Sequence, residues 1–478
     1  MRRMRGLAII LLLLAGCGDD GAASRDGGTD TGRADAGPLW PRDLPPTAEL
    51  GGPRRGLTVA RSIIHLHSPL SHDACDDQAD LEEAVGSTDC MATLRDALCT
   101  TRVDVAMITD HAPYMNEVPF ERVLWPDPAD ELITSTTGST IASRMTCPNG
   151  QVVLLTVGSE NALMPVGLRH HVLEGADAAT LETAYDADGP AAVSAFHDAG
   201  ALVLVNHTEE RTVENLRGLG VDGIEIYNLH ANIDPTSRRD YLGLDDYGFV
   251  TELFYFLERR RYLAPDLLFL AFFEISDAYF ERWDTLLAEG QRIVGVAGTD
   301  AHQNSFPDEM WDGERIDSYR RMIRWFSNHL LLDGDPNPDN VAEALGMGRF
   351  YMAFEAFGSP VGFDFVADDA GTIVEMGGEA TVGTTLRVLR PHIAPGQPQE
   401  PAPAITVRLL RSAAGGPVEV ASGTDAMLEL VTTEPGAYRA EARMVPEHTR
   451  PYLPGRADEL IREVVWVESN PIHVIAPP

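Results

Sequence analysis

The sequence predicts an α/β fold, a parallel sheet or barrel, followed by an all-β segment. Three observations carry this. Short apolar β-type runs alternate with helical stretches from Leu57 to about Phe357. Residue types able to bind metal follow these runs directly. The helical pattern stops after Gly358. In α/β barrels the functional side chains sit at the C-terminal ends of the strands, so the second observation ties the fold to chemistry.

The chain begins with Arg2, Arg3 and Arg5, an apolar run from Leu7 to Leu14, and then Leu14-Ala15-Gly16-Cys17. That run is too short to span a membrane and fits a secretory signal over residues 1–17. Its end resembles the bacterial lipobox. The resemblance implies lipidation at Cys17 and an exported lipoprotein on the periplasmic or cell-surface side of a bacterial membrane. Residues 18–55 are rich in Gly, Asp, Ala, Arg and Pro, the composition of a flexible tether. Export places Cys75, Cys90, Cys99 and Cys147 in an oxidising compartment, where two disulfides can form in any of three connectivities.

Residues 56–357 carry the strand-like runs Leu57 to Ile64, Val103 to Ile108, Val152 to Val157, Ala201 to Val205, Gly223 to Tyr227 and Ile293 to Ala297. Between them lie helical patterns such as Met91 to Leu98, Ala191 to Ala199 and Leu253 to Arg260. Residues 358–478 read as short strands separated by Gly, Pro and Asp: Gly362 to Val366, Thr384 to Leu389, Ile405 to Leu410, Met427 to Val431, Gly436 to Met444, Glu463 to Val467 and Ile472 to Ile475. That density of strands predicts a small β-sandwich with no catalytic residues of its own.

Composition excludes several functions. Across 478 residues, 73 acidic side chains face 37 basic ones, a net charge of −36, and every basic residue is arginine. A nucleic-acid groove or a patch for anionic membranes is disfavoured, so the lipid anchor is the one membrane contact expected. The absence of lysine removes Schiff-base chemistry. No Gly-x-Ser-x-Gly elbow is present to support a serine nucleophile.

The chemistry gathers where strands end. His65-Leu66-His67 closes the first run, with His72 five residues beyond His67. Alternation along a strand lets His65 and His67 face one ion. Asp110-His111 closes the second run, and Glu160 follows the third, where a carboxylate can bridge two cations. His170 and His171 come next, then His207, then Asp300-Ala301-His302 after the last run. Each motif is weak alone, but their succession at strand ends points to a multinuclear metal site.

In this order the motifs resemble the PHP (polymerase and histidinol phosphatase) metallohydrolases, whose sequence of His-x-His, Asp-His, Glu, isolated histidines and Asp-x-His is met over residues 61–304. The resemblance implies a distorted seven-stranded β/α barrel with a trinuclear centre. One ion would be held by His65, His67, bridging Glu160 and Asp300. A second would be held by Glu160, His207 and one of His170 and His171, with His171 favoured by its Val172-Leu173 context. The third would be held by His72, or the adjoining Asp73, with His111 and His302. The run Trp466-Val467-Glu468-Ser469-Asn470-Pro471-Ile472 further resembles the carbaryl-hydrolase-type exported branch of that family.

Two or three zinc, manganese or iron ions suit such a ligand set. The expected function is metal-dependent hydrolysis of a small-molecule phosphoester, or of a carboxylic-type ester, carbamate or amide, by metal-activated water. Asp110 is expected to orient a ligand histidine, His230 to serve as proton donor or supporting partner, and Arg169 and Arg211 to meet a substrate anion. The competing class is a non-catalytic lipoprotein with structural metals and a partner-binding β domain. Structural sites usually close all four positions with Cys and His, whereas carboxylate-rich multinuclear sets favour open coordination.

Overall fold

The strands that close the barrel are buried along nearly their whole length, as parallel strands covered on both faces are. The structure, a computed structural model, describes residues 38–477 apart from 53, 78–87, 113, 125–126, 128 and 259–261. The secretory segment with Cys17, the first part of the tether and the end of the pattern at Arg260 lie outside the described residues. In chain order the first strands are β1 (Thr58–Leu66), β2 (Val105–Ile108), β3 (Glu131–Thr134), β4 (Thr140–Thr146), β5 (Val152–Gly158), β6 (Met164–Leu168), β7 (Leu202–Val205), β8 (Gly223–Asn228) and β9 (Val294–Ala301).

A closed ring of seven strands results. β1, β2 and β5 pair in parallel, β6 is antiparallel to both β5 and β7, and β7, β8 and β9 run parallel back to β1. β3 and β4 form a hairpin added to β5. The six runs expected from sequence all form ring strands. β6 adds a seventh strand that the sequence does not reveal, because Pro165 and Gly167 interrupt its short run Met164-Pro165-Val166-Gly167-Leu168. Ile64, Val105, Leu154, Val166, Leu204 and Val296, from strands all round the ring, pack together with Val341, Ala344 and Leu345 of helix Pro338–Met347. Side chains from opposite strands can meet only inside the ring, so this cluster fills the barrel and the helix packs against it.

The sheet does not stop at the ring. β10 (Ser327–Leu332) pairs antiparallel with β1, β11 (Phe350–Ala353) with β10, and strand Val464–Ser469 with β11. Gly436–Val445 and Ala404–Ala413 extend the same ladder. A separate antiparallel sheet takes the order Thr372–Glu375, Asp364–Asp369, Thr385–Leu389 and Met427–Val431. The expectation of a helix-free C-terminal segment is corrected by the short helix Ala457–Leu460. Asn470 exchanges two hydrogen bonds with the backbone of Gly295 in β9, which stitches the C-terminal strands to the barrel.

The tether is also shorter than its composition suggested. Trp40, Leu44 and Leu50 are buried, Leu44 donates its N–H to Thr100 O, and Arg61 donates to Pro45 O. A few apolar anchors outweigh the surrounding Gly and Pro. Of the possible connectivities, Cys75–Cys90 and Cys99–Cys147 are the disulfides formed. No helix among the described residues is long and apolar enough to cross a membrane.

Candidate metal centre

The centre is built where parallel strands end, and its backbone is unusual there. In β1 the register against β2 and β9 slips just before Leu66, and His65 adopts a left-handed φ of 65°. A bulge re-aims a side chain. His65 and His67 therefore share a target through a bulge, where the sequence suggested simple alternation. His207 (φ 47°) and Asp300 (φ 51°) are left-handed too. Non-glycine residues held there cost about 1–3 kcal/mol each, and such strain collects at functional sites.

Glu160 and Asp300 stand at the middle of the cluster. Glu160 Oε2 lies 3.1 Å from His65 Nε2, 3.2 Å from His67 Nε2 and 3.2 Å from His111 Nε2, while Oε1 lies 3.0 Å from His207 Nε2. Asp300 Oδ1 lies 3.2 Å from His65 Nε2 and 3.4 Å from His67 Nε2, and Oδ2 lies 3.4 Å from His207 Nε2 and 3.1 Å from His230 Nδ1. Asp73 Oδ2 completes it, 3.3 Å from the Nε2 atoms of both His111 and His302.

Behind this set, every imidazole except His230, which turns its own Nδ1 to Asp300, has its Nδ1 engaged. His65 Nδ1 meets Glu225 Oε1 at 2.5 Å, His67 Nδ1 meets Ser71 Oγ at 3.0 Å, and His111 Nδ1 meets the backbone carbonyl of Glu160. His207 Nδ1 meets Glu209 Oε1 at 3.0 Å, and Tyr279 in turn donates to Glu209. His302 Nδ1 meets Asp300 O at 2.9 Å. Partners of this kind fix the tautomer and aim Nε2 inward.

Electrostatics and hydrogen-bond accounting both fit a cation. His65 Nε2, His67 Nε2 and Asp300 Oδ1 are buried without a hydrogen-bond partner. Buried polar atoms are normally satisfied, so converging orphans of both donor types suit an ion. Burial by itself would lower the His65 and His207 pKa values, yet the adjoining carboxylates raise both well above the usual range. Those carboxylates thus attract positive charge, and a metal would displace protons from the same nitrogens. Two groups of residues able to hold an ion are His65, His67, Glu160 and Asp300, and His67, His111, Glu160 and His302; a third is His230, Asp300 and His302. The acidic group Asp266, Asp312 and Glu314 differs, since Arg320 and Arg321 already pair with it.

Several sequence-based assignments are corrected. His171 lies outside the cluster, with Nδ1 against the Tyr185 hydroxyl at 3.1 Å and Nε2 against Val118 O at 2.9 Å. His230 occupies the position beside Asp300 instead. His72 packs its ring 5.2 Å from that of His111, and it is Asp73 that faces His111 and His302. Asp110 orients no histidine; it accepts from Ser68 N and Ser68 Oγ, both at 2.6 Å, and so fixes the turn after His67. Arg169 pairs with Asp339, and Arg211 with Asp188 and the carbonyl of Ala162. His171→Ala should leave metal content unchanged while costing about 1–2 kcal/mol of stability for its two hydrogen bonds. Metal analysis and a urea midpoint on the purified variant check both parts.

Glu225 and Glu209, which hold His65 and His207, belong to none of the sequence motifs. The signal for Glu225 was legible: a lone acid within Gly223-Ile224-Glu225-Ile226-Tyr227, fully buried in β8. A charge there needs a partner, and His65 is that partner. Gly298 makes room for the pair, because a Cβ there would come within 1.8 Å of Glu225 Oε1.

No protein-family model and no curated protein matches the chain. Among solved structures, a two-domain protein from Bacteroides vulgatus containing a predicted PHP-like metal-dependent phosphoesterase is similar, with 14% identity and a TM-score of 0.34 over 84% of this chain and 92% of that one. The carbaryl-hydrolase-type likeness finds no support in these comparisons.

Proposed function

We propose that this protein is a multinuclear metal-dependent hydrolase of the PHP type, acting on a small-molecule phosphoester or a carboxylic-type ester, carbamate or amide. The observation that carries the reading is the convergence of His65, His67, His111, His207 and His302, each with its far nitrogen anchored, on the carboxylates Glu160, Asp300 and Asp73. Glu160 and Asp300, with His65, His67, His207 and His230, would hold two ions. Asp73, His111 and His302 would hold a third. Zinc, manganese or iron would suit these ligands and, when bound, would supply an activated water and polarise the substrate oxygen. The protein's part is to hold the ligands in fixed tautomers through Glu225, Glu209 and Ser71, and to balance charge with buried carboxylates.

Export and lipid attachment at Cys17 belong to this proposal, as does a small β-sandwich for the C-terminal strands. The two disulfides support an oxidising compartment. The test is metal content of the purified protein together with hydrolysis of p-nitrophenyl phosphate, a phosphodiester analogue, and naphthyl or nitrophenyl esters and carbamates. Two or three ions per chain with turnover of any member is the expected result. Absence of bound metal after reconstitution with zinc, manganese and iron would overturn it and leave a binding protein.

A further inference from the structure

The three central carboxylates are not placed by equal means. Glu160 and Asp300 stand in or just beyond strands, and their side chains are 4% and 1% exposed. Asp73 stands in the loop that follows β1 and is 30% exposed, so neither a strand nor burial fixes it. The loop is strained as well, because Cys75 (φ 56°) and Asp76 (φ 57°) are successive left-handed residues and neither is glycine. Such a conformation persists only where its surroundings over-determine it.

Hydrogen bonds and a crosslink supply those surroundings. Cys75 donates its N–H to His302 O at 2.9 Å and Asp76 to Gln303 O at 3.2 Å, so the loop runs along the segment that carries His302. Asn304 donates to Asp73 O, and Asp76 pairs with Arg315 at 2.8 Å. The disulfide then joins Cys75 to Cys90 of helix Thr88–Thr100, which Leu94, Ala97 and Leu98 fix in the core. Both sulfurs lie against the buried hydroxyl of Tyr319, at 3.7 Å for Cys75 and 3.9 Å for Cys90. The same hydroxyl donates to the carbonyls of His67 at 2.9 Å and His302 at 3.2 Å. The imidazoles of those two residues stack with centroids 3.8 Å apart. One buried contact thus connects the disulfide to the backbone of two residues of the metal centre.

We infer that the Cys75–Cys90 disulfide and Tyr319 form one positioning unit for the third ion, the one assigned above to Asp73, His111 and His302. With the bridge closed that ion binds at full affinity; without it the third ion is lost before the other two. This rests on the metal-centre reading above. The bridge holds the strained pair Cys75-Asp76 in place, and through Tyr319 it also holds the carbonyl of His302. Its loss lets the loop relax, and Asp73 Oδ2 leaves its position 3.3 Å from the Nε2 atoms of both His111 and His302. His65 and His207 are held by other means, through Glu225 and Glu209. The second disulfide supplies a control. Cys99–Cys147 ties the far end of the same helix to the chain just ahead of β5, at the end of that strand opposite Glu160. Its cysteines are 48 positions apart against 15 for Cys75–Cys90, so by chain entropy its loss destabilises the fold at least as much.

The experiment counts ions rather than turnover. The full chain is equilibrated with buffers of graded free zinc or manganese, and ions per folded chain are measured by elemental analysis, with melting temperatures alongside. The parent protein is compared with Cys75→Ser/Cys90→Ser, Tyr319→Phe, Cys99→Ser/Cys147→Ser and Asp73→Asn, the last marking what loss of the ligand itself does to the third ion. The parent should bind three ions. Cys75→Ser/Cys90→Ser should keep two and need about 10–100-fold more free metal for the third, the range typical when a partner behind a ligand is lost. Tyr319→Phe should shift the third ion alone, in the same direction and by severalfold. Cys99→Ser/Cys147→Ser should melt earlier yet take up all three ions as the parent does. Should Cys75→Ser/Cys90→Ser fail to fold, Tyr319→Phe decides. A third ion bound equally well without the Cys75–Cys90 bridge, or lost equally from Cys99→Ser/Cys147→Ser, would overturn the positioning role and leave the metal centre standing. A parent protein with two ions would do the same, and one with none would overturn the centre too.

Discussion

Glu160→Gln should abolish hydrolysis and empty the centre while the barrel stays folded. Glu160 reaches His65, His67 and His111 with one oxygen and His207 with the other. An amide keeps the shape but presents one neutral oxygen and an N–H group that would point at an ion. Loss of a partner behind a ligand typically costs 10–100-fold in metal affinity, so loss of the ligand itself should exceed about 100-fold. The fold should survive because Asn206 can still bond the remaining amide oxygen, and because the barrel interior is filled from the other strands. Metal analysis with far-UV circular dichroism decides this; full metal occupancy in a folded variant would refute the assignment.

The second large effect lies far from the centre. Arg439→Met should lower stability by about 3–5 kcal/mol, because it strips the cation from a buried ionic cluster. Arg439 is 1% exposed, pairs with Asp284 at 3.0 Å and also with Glu468, and stacks on Phe280 and Trp283. Burial pushes the Glu468 carboxyl up to about 8 even with Arg439 in place, so at neutral pH Glu468 already holds its proton for most of the time and the loss of the guanidinium falls mainly on Asp284. Asp284 belongs to helix Asp277–Ala288 and Glu468 to a C-terminal strand, so the pair joins the barrel's outer layer to the strands that follow it. A denaturant midpoint close to that of the parent protein would show that packing on Phe280 and Trp283, not charge, holds this junction.

How much was legible in the sequence follows from where each residue sits. His65, His67, His111, Glu160, His207, Asp300 and His302 stand at or just beyond the ends of strands whose apolar runs are plain, and the structure brings them together. Asp73 was visible only as an alternative to His72, since neighbours in a loop are separated by backbone turns that no periodicity encodes. Here Asp76 is left-handed and Cys75 donates its N–H to His302 O, which settles the loop's path. Glu225 was visible as a buried charge but not as a partner, because His65 is 160 positions away.

What the sequence by itself determined is therefore the alternation that makes the ring strands and the chemical kind of residue placed at their ends. Tertiary structure alone decided which of those residues meet, and one strand explains most of the difference. β6 runs antiparallel within an otherwise mostly parallel ring. The chain leaving it, with Arg169 and His171, emerges at the end of the barrel opposite to the loops that follow parallel strands. His171 is carried away from the histidine and carboxylate cluster for that reason, and His230, following parallel β8, lies beside Asp300 instead. Strand direction is fixed by long-range pairing, where each partner supplies half of the hydrogen bonds, and so it cannot be read from a local run of five residues broken by proline and glycine.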